Sequence, residues 1–218
     1  MLYNKPTIYN TPTIYNTVAG GGAYKPEGTF IFANFTNLLT EGTATISNFD
    51  KAGRNYTKVL NPDNFIVKLL GMPFDFKKIT LDFWRQVSYE GSKNSKYIEF
   101  SLLSSDDEIL ITRPNNSLAD YNNQNINIPS GTSYNISNGF INANGGKDFI
   151  CSNSSYWGNA THHKYTIEQN KIKVEQIGKG TLGEIQKGLS NFIGFKFNEE
   201  PTSNQYIAVS EITLTIEQ

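Results

Sequence analysis

Ile79-Thr80-Leu81-Asp82-Phe83-Trp84-Arg85-Gln86-Val87 decides the fold class of this chain. Ile79, Leu81 and Phe83 alternate with Thr80, Asp82 and Trp84, a period of two. Successive side chains of a strand point to opposite faces, so three apolar groups share one side while Trp84 and Gln86 share the other with the polar residues. The same period recurs outward from this run. Ile98, Phe100 and Leu102 fall together within 96–102, and Ile172 and Val174 oppose Lys171, Lys173 and Glu175. At the end of the chain Ile212, Leu214 and Ile216 oppose Glu211, Thr213, Thr215 and Glu217.

Further strands are expected at 29–35, 44–49, 64–70, 108–112, 132–136, 164–168 and 192–197. Between them lie turn clusters such as Asn115-Asn116-Ser117 and Asn144-Gly145-Gly146, in a chain where roughly one residue in eight is Asn. Gly180–Leu189 hints at helix through Leu182, Ile185 and Leu189, against the propensity of its glycines. About eleven short strands with turns between them predict an all-β, two-sheet jelly-roll sandwich. Its first and last strands are both expected to be half-buried, with the two ends of the domain side by side.

Composition bounds the rest. Hydrophobic residues make up 38% and aromatic residues 13%, enough for a core and against global disorder. A formal net charge of −1 lacks the basic surplus of a nucleic-acid binder. No apolar run is long enough to cross a bilayer, and MLYNKPTIYN has no apolar h-region, so no membrane insertion and no secretory signal are expected. The single cysteine, Cys151, excludes an intrachain disulfide and reads as a small core hydrophobe after Asp148-Phe149-Ile150. Synthesis in a reducing cytoplasm follows from that pattern. Asn-x-Ser/Thr triplets at Asn34, Asn55, Asn135 and Asn159 read as products of composition, not glycosylation sites.

Residues 1–22 form a separate unit, ahead of a globular region at 23–218. Tyr3-Asn4-Lys5-Pro6-Thr7-Ile8 is followed by Tyr9-Asn10-Thr11-Pro12-Thr13-Ile14 and then Tyr15-Asn16-Thr17-Val18. In an extended chain this period puts Pro6, Pro12, Ile8 and Ile14 on one face with Asn, and Tyr3, Tyr9 and Tyr15 on the other with Thr. A polyproline II chain would also keep a constant edge. Prolines discourage helix in either case. The Ile8 and Ile14 edge cannot be buried by one arm alone, so the arm is expected to attach and to oligomerise. Gly20-Gly21-Gly22 supplies a joint.

Catalytic chemistry has little footing in the sequence. His162 and His163 are adjacent, so on a strand they face opposite ways and cannot share an ion or a substrate. Neither Gly-x-Ser-x-Gly nor His-Glu-x-x-His occurs, and Gly178-Lys179-Gly180-Thr181 lacks the first glycine of a phosphate loop. Asp106-Asp107-Glu108 and Glu199-Glu200 are the carboxylate pairs a glycosidase would use, but both sit in turn-like settings. Asp63, Asp106, Asp107 and Asp148 are places for a structural calcium. No cofactor is expected, and the chain reads as a non-enzyme. Binding reads better. Trp84 on the polar side of its strand, and Tyr156-Trp157 beside an Asn/Ser-rich turn, are candidate ligand contacts, because a pyranose packs its apolar face on a ring.

Asn4-Lys5-Pro6-Thr7-Ile8 resembles the Asn-Lys-Pro-x-Ile element of head-fibre and tail-fibre proteins of tailed bacteriophages, although the second copy has Thr11 in place of Lys. Lys78–Trp84 and Val209-Ser210-Glu211-Ile212 are similar to strands of carbohydrate-binding and laminin-G-like jelly rolls, including those on phage fibres. The resemblance implies a virion structural protein, made in the bacterial cytoplasm. The arm would bind capsid or tail proteins, the chain would form a homotrimer, and the sandwich would display a surface for host glycans. A stand-alone adhesin module is the alternative, and a β-sandwich glycoside hydrolase a more distant one.

Overall fold

The computed structural model describes residues 24–89, 98–112, 140–142, 148–150, 160–178, 180–199 and 205–218. The arm, the expected strand at 132–136, Cys151, Tyr156, Trp157 and Glu200 lie outside the described residues. Fourteen strands and no helix make up the regular structure of the described residues. In chain order these are β1 (Gly28–Phe32), β2 (Leu39–Lys51), β3 (Arg54–Lys68), β4 (Lys78–Tyr89), β5 (Ile98–Leu103), β6 (Glu108–Thr112) and β7 (Phe140–Asn142). They continue with β8 (Asp148–Ile150), β9 (Thr161–Glu168), β10 (Ile172–Gln176), β11 (Gly180–Ile185), β12 (Gly194–Glu199), β13 (Gln205–Ser210) and β14 (Ile212–Glu217). Among the described residues no helix is long and apolar enough to cross a membrane.

Ile79–Val87 lies within β4, the hub of the fold. Its first half pairs with β14, its second half with β13, and its other edge with β9. β3 divides in the same way: Tyr56–Leu60 pairs with β13 and Phe65–Lys68 with β12. β13 therefore joins two limbs, β14-β4-β9-β10-β11 and β2-β3-β12-β5-β6-β8-β7. These limbs face each other. Phe83 of β4 lies 5.6 Å from Phe195 of β12 and 6.1 Å from Phe100 of β5 between ring centroids. Strands three and four places apart in a hydrogen-bonded order, each about 4.8 Å from the next, touch only when the sheet folds back on itself. The result is a two-layer jelly-roll sandwich.

Alternation explains the core. Ile79, Leu81 and Phe83 of β4 and Ile212, Leu214 and Ile216 of β14 are all buried at 0–1% exposure, as their period predicts. Each such side chain contributes about 1.5–3 kcal/mol when removed from water. Phe83 stacks on Tyr165 at 5.3 Å and Phe100 on Phe197 at 4.7 Å, so an aromatic block fills the space between the layers. β1 pairs with β14, Gly28 opposite Ile216, and the Gln218 side-chain amide donates to the carbonyl of Pro26 at 2.7 Å. First and last strands are neighbours, as expected.

Three departures have physical reasons. Gly180–Ile185 is strand β11, not helix: Gly183 and Gly180 lie opposite Val174 and Gln176 of β10, with a bulge between, and sheet pairing overrides a spacing of three apolar residues. β13 shows no period of its own, because Ile207, Ala208 and Val209 are all buried and a strand covered on both faces has no alternation. β7 and β8 span three residues each, too few to show a period.

Candidate functional site

The β4–β9 pair carries most of the chemistry, and the pleat divides it between two faces. On the outer face Trp84 stands directly opposite His162, and the two rings stack at 4.9 Å and 9°. The Arg54 guanidinium, from the start of β3, lies 3.9 Å from the centroid of the same indole. His162 approaches from β9 and Arg54 from the opposite side of β4, so the half-buried indole is held from both directions. Asp82 Oδ1 lies 2.5 Å from His162 Nε2, and both side chains remain partly exposed, at 40% and 25%. Trp84 donates its backbone N–H to Ser210 Oγ at 2.8 Å. Gln86, assigned to this outer side, is 3% exposed, because Lys51 beside the β2–β3 turn reaches over it and donates to Oε1 at 3.3 Å.

On the inner face the apolar series of β4 and β9 ends in polar groups. Arg85 follows Phe83 in the inward alternation and is 1% exposed; His163 and Tyr165 of β9 are 0% exposed. Gln176 of β10 lies opposite His163 in the ladder and is 7% exposed. Thr161 Oγ1 lies 2.6 Å from His163 Nε2. Burial above all, then the Arg85 guanidinium and then His162, hold the His163 imidazole well below its ordinary pKa, so it is neutral at neutral pH. This group is not among the sites expected from the sequence. Its signal was there: Arg85 and His163 share the parity of buried apolar neighbours, where a charged or titratable residue is out of place.

The other candidates are dispersed. Asp106 accepts hydrogen bonds from Ser104 Oγ at 2.9 Å and Ser190 Oγ at 2.7 Å. The Ser190 hydroxyl first, and then that of Ser104, keep its carboxyl below the usual range. Asp107 pairs with Lys187 and Glu108 with Lys196, each at 2.9 Å. The carboxylates of 106–108 thus fasten a turn. Glu199 ends β12, and its side chain lies outside the described residues, as does that of Asp148 in β8. Asp63 is exposed and accepts from Asn64 Nδ2. Among the described residues no three His, Cys, Asp or Glu side chains gather where a metal ion could bind.

An open cleft of about 780 Å³ lies near the start of β4, between Lys25, Asp75, Lys78, Glu168 and Glu217. It is six residues, or about 20 Å, along β4 from Trp84. Its aromatic wall residue, Phe76, is 2% exposed, so the cleft offers polar groups without a ring surface.

No family model matches the sequence. No curated protein matches it. Solved structures are similar in shape. A protein of unknown function from Shewanella oneidensis matches with a TM-score of 0.48 and 10% identity, over 88% of this chain and 87% of that one. The carbohydrate recognition domain of Emp47p matches with a TM-score of 0.42 and 12% identity, over 84% and 90% of the two chains. An alginate lyase of polysaccharide lyase family 7 matches with a TM-score of 0.43 and 14% identity, over 76% and 70%. At these identities and scores the likeness assigns neither ligand nor activity.

Proposed function

We propose that the chain is a carbohydrate-binding β-sandwich displayed on a bacteriophage virion, attached through its repetitive arm and active by binding instead of turnover. One observation carries the binding reading: the outer face of β4–β9 assembles an indole, a guanidinium, an imidazole and a carboxylate in one partly exposed patch. Sugars need that combination, a ring for the apolar face of the pyranose and charged or amide groups for its hydroxyls. Arg54 occupies one side of the indole through a cation–π contact of about 0.5–1 kcal/mol. A sugar displacing it exchanges one face contact for another. The virion reading rests on the Asn4–Ile8 element of the arm.

Binding to an array of bacterial surface glycans, followed by titration of the best ligand, tests this. Trp84→Ala is expected to lose at least about tenfold in affinity, while Arg54→Ala, which uncovers the indole, gains about two- to fivefold. Equal affinities in both variants, with melting temperatures unchanged, would remove the β4–β9 face from consideration.

A second, enzymatic reading is favoured by the inner-face group. A neutral imidazole beside a phenol and a guanidinium is suited to moving a proton on an acidic substrate. Against it, Arg85, His163 and Tyr165 are at most 1% exposed. Release of unsaturated or reducing sugar, abolished by His163→Asn, would establish the second reading over the first.

A further inference from the structure

The outward side chains of β4 continue away from Trp84 as an ordered polar strip, and the strands on either side extend it in register. Trp84 stands opposite His162, and two residues back Asp82 lies between Thr213 of β14 and Lys164 of β9. Two residues further, Thr80 lies between Thr215 and Thr166, and the last row is Lys78 between Glu217 and Glu168. Thr29 of β1 prolongs the threonine row, its hydroxyl oxygen 3.2 Å from that of Thr215. All of these residues are exposed or partly exposed. The strip ends at the open cleft near the start of β4, whose wall includes Lys78, Glu168 and Glu217.

Its chemistry selects the ligand. Threonine hydroxyls both donate and accept, as sugar hydroxyls do, and strands about 4.8 Å apart set them in a row across the sheet. The charges along the strip cancel locally. Lys78 Nζ lies 2.6 Å from Glu217 Oε1, Lys173 of β10 lies 3.0 Å from Glu175, and His162 lies 2.5 Å from Asp82. Lys164 stands in the ladder between Asp82 and Glu175. A polyanion would meet a carboxylate beside each of these cations, and like charges brought together oppose binding. An uncharged chain leaves the pairs intact.

We infer that the strip from Trp84 to the cleft is the binding track of an uncharged, extended, linear glycan of several sugar units. One sugar packs on the indole, and those that follow bond to the hydroxyls of Thr80, Thr166 and Thr215. The inference rests on the reading of the β4–β9 face as a glycan site, and adds to it the class and length of the ligand. A β-1,4-linked chain of pyranoses has the straight form that the track along one strand requires, whereas an α-1,4-linked chain curls away from it.

Titration calorimetry of the full chain with cellohexaose, xylohexaose and mannohexaose, each beside its own disaccharide, tests this, with hexagalacturonate as the charged comparison. At least one uncharged hexaose is expected to bind at least about tenfold more tightly than its disaccharide, and more tightly than hexagalacturonate, with an affinity unchanged by added salt. A double variant, Thr80→Val with Thr166→Val, keeps β-branched side chains on both strands and removes hydroxyls about 13 Å along β4 from the indole. It is expected to erase the advantage of the hexaose and to leave the disaccharide unaffected. A hexaose bound no better than its disaccharide by the native chain, or an advantage that survives in the double variant, would overturn the track. So would tighter binding of hexagalacturonate. Trp84→Ala separates these outcomes from failure of the site itself. If it abolishes disaccharide binding, only the track is lost; if it leaves binding intact, or if no saccharide binds the native chain, site and track are lost together.

Discussion

Phe83 and Trp84 are neighbours in the chain and belong to different environments, one in the aromatic block at 1% exposure, the other half-buried on the outside. His162 and His163 repeat this division one strand away, the first against Trp84 and Asp82, the second against Tyr165. The buried member has a thermodynamic consequence. In the unfolded chain His163 takes up a proton near pH 6.5, whereas in the folded chain its pKa is depressed. Below pH 6.5 the unfolded state binds more protons, so stability present above that value is lost as pH falls toward the folded pKa, by at most about 1.4 kcal/mol per pH unit. Denaturant midpoints at pH 7.5 and 5.5 are expected to differ less in His163→Gln than in the native chain. An unaltered slope would show that the imidazole is not excluded from protonation. At this scale the parity of β4 was legible in the sequence, including the outward placement of Trp84. That Arg54 and His162 would hold its ring was not, because they arrive from strands distant in the chain.

The β2–β3 ladder shows how one element is held to one shape. β3 has an extra residue relative to β2 on each side of Thr43, and Asn61 and Asn64 take positive φ there. Gly42 faces this irregularity with φ 73°, and a Cβ on it would lie 2.2 Å from the carbonyl oxygen of Asn64. Left-handed backbone costs a side-chain-bearing residue about 1–2 kcal/mol, and the backbone clash adds to it. Gly42→Ala is therefore expected to lower the melting temperature by about 4–8 °C, at 2–4 °C per kcal/mol for a domain of this size. A shift under about 1 °C would mean that the ladder re-registers without strain. Element by element, most strands with one face in the core were readable from their period, while β7, β8, β11, β13 and the first ten residues of β3 were not. Glycines in β11 weaken any local preference, and burial on both faces removes alternation from β13.

For the whole molecule, the described residues from Tyr24 onward contain both layers and the core, so removing 1–22 is expected to leave a folded sandwich. On the proposed function that truncated protein no longer attaches to virions. Light scattering and co-sedimentation with particles, on intact and truncated chains, measure both consequences. Truncated protein that sediments with particles as well as the intact chain would take attachment away from the arm. The all-β class and the neighbouring of first and last strands were present in the sequence, because period and turn chemistry act over a few residues. The joining of the two limbs through β13, the bracketed indole of Trp84 and the buried Arg85–His163 group came from the tertiary structure alone. Each depends on strands separated by scores of residues meeting across a folded sheet, and no local pattern encodes which of them will meet.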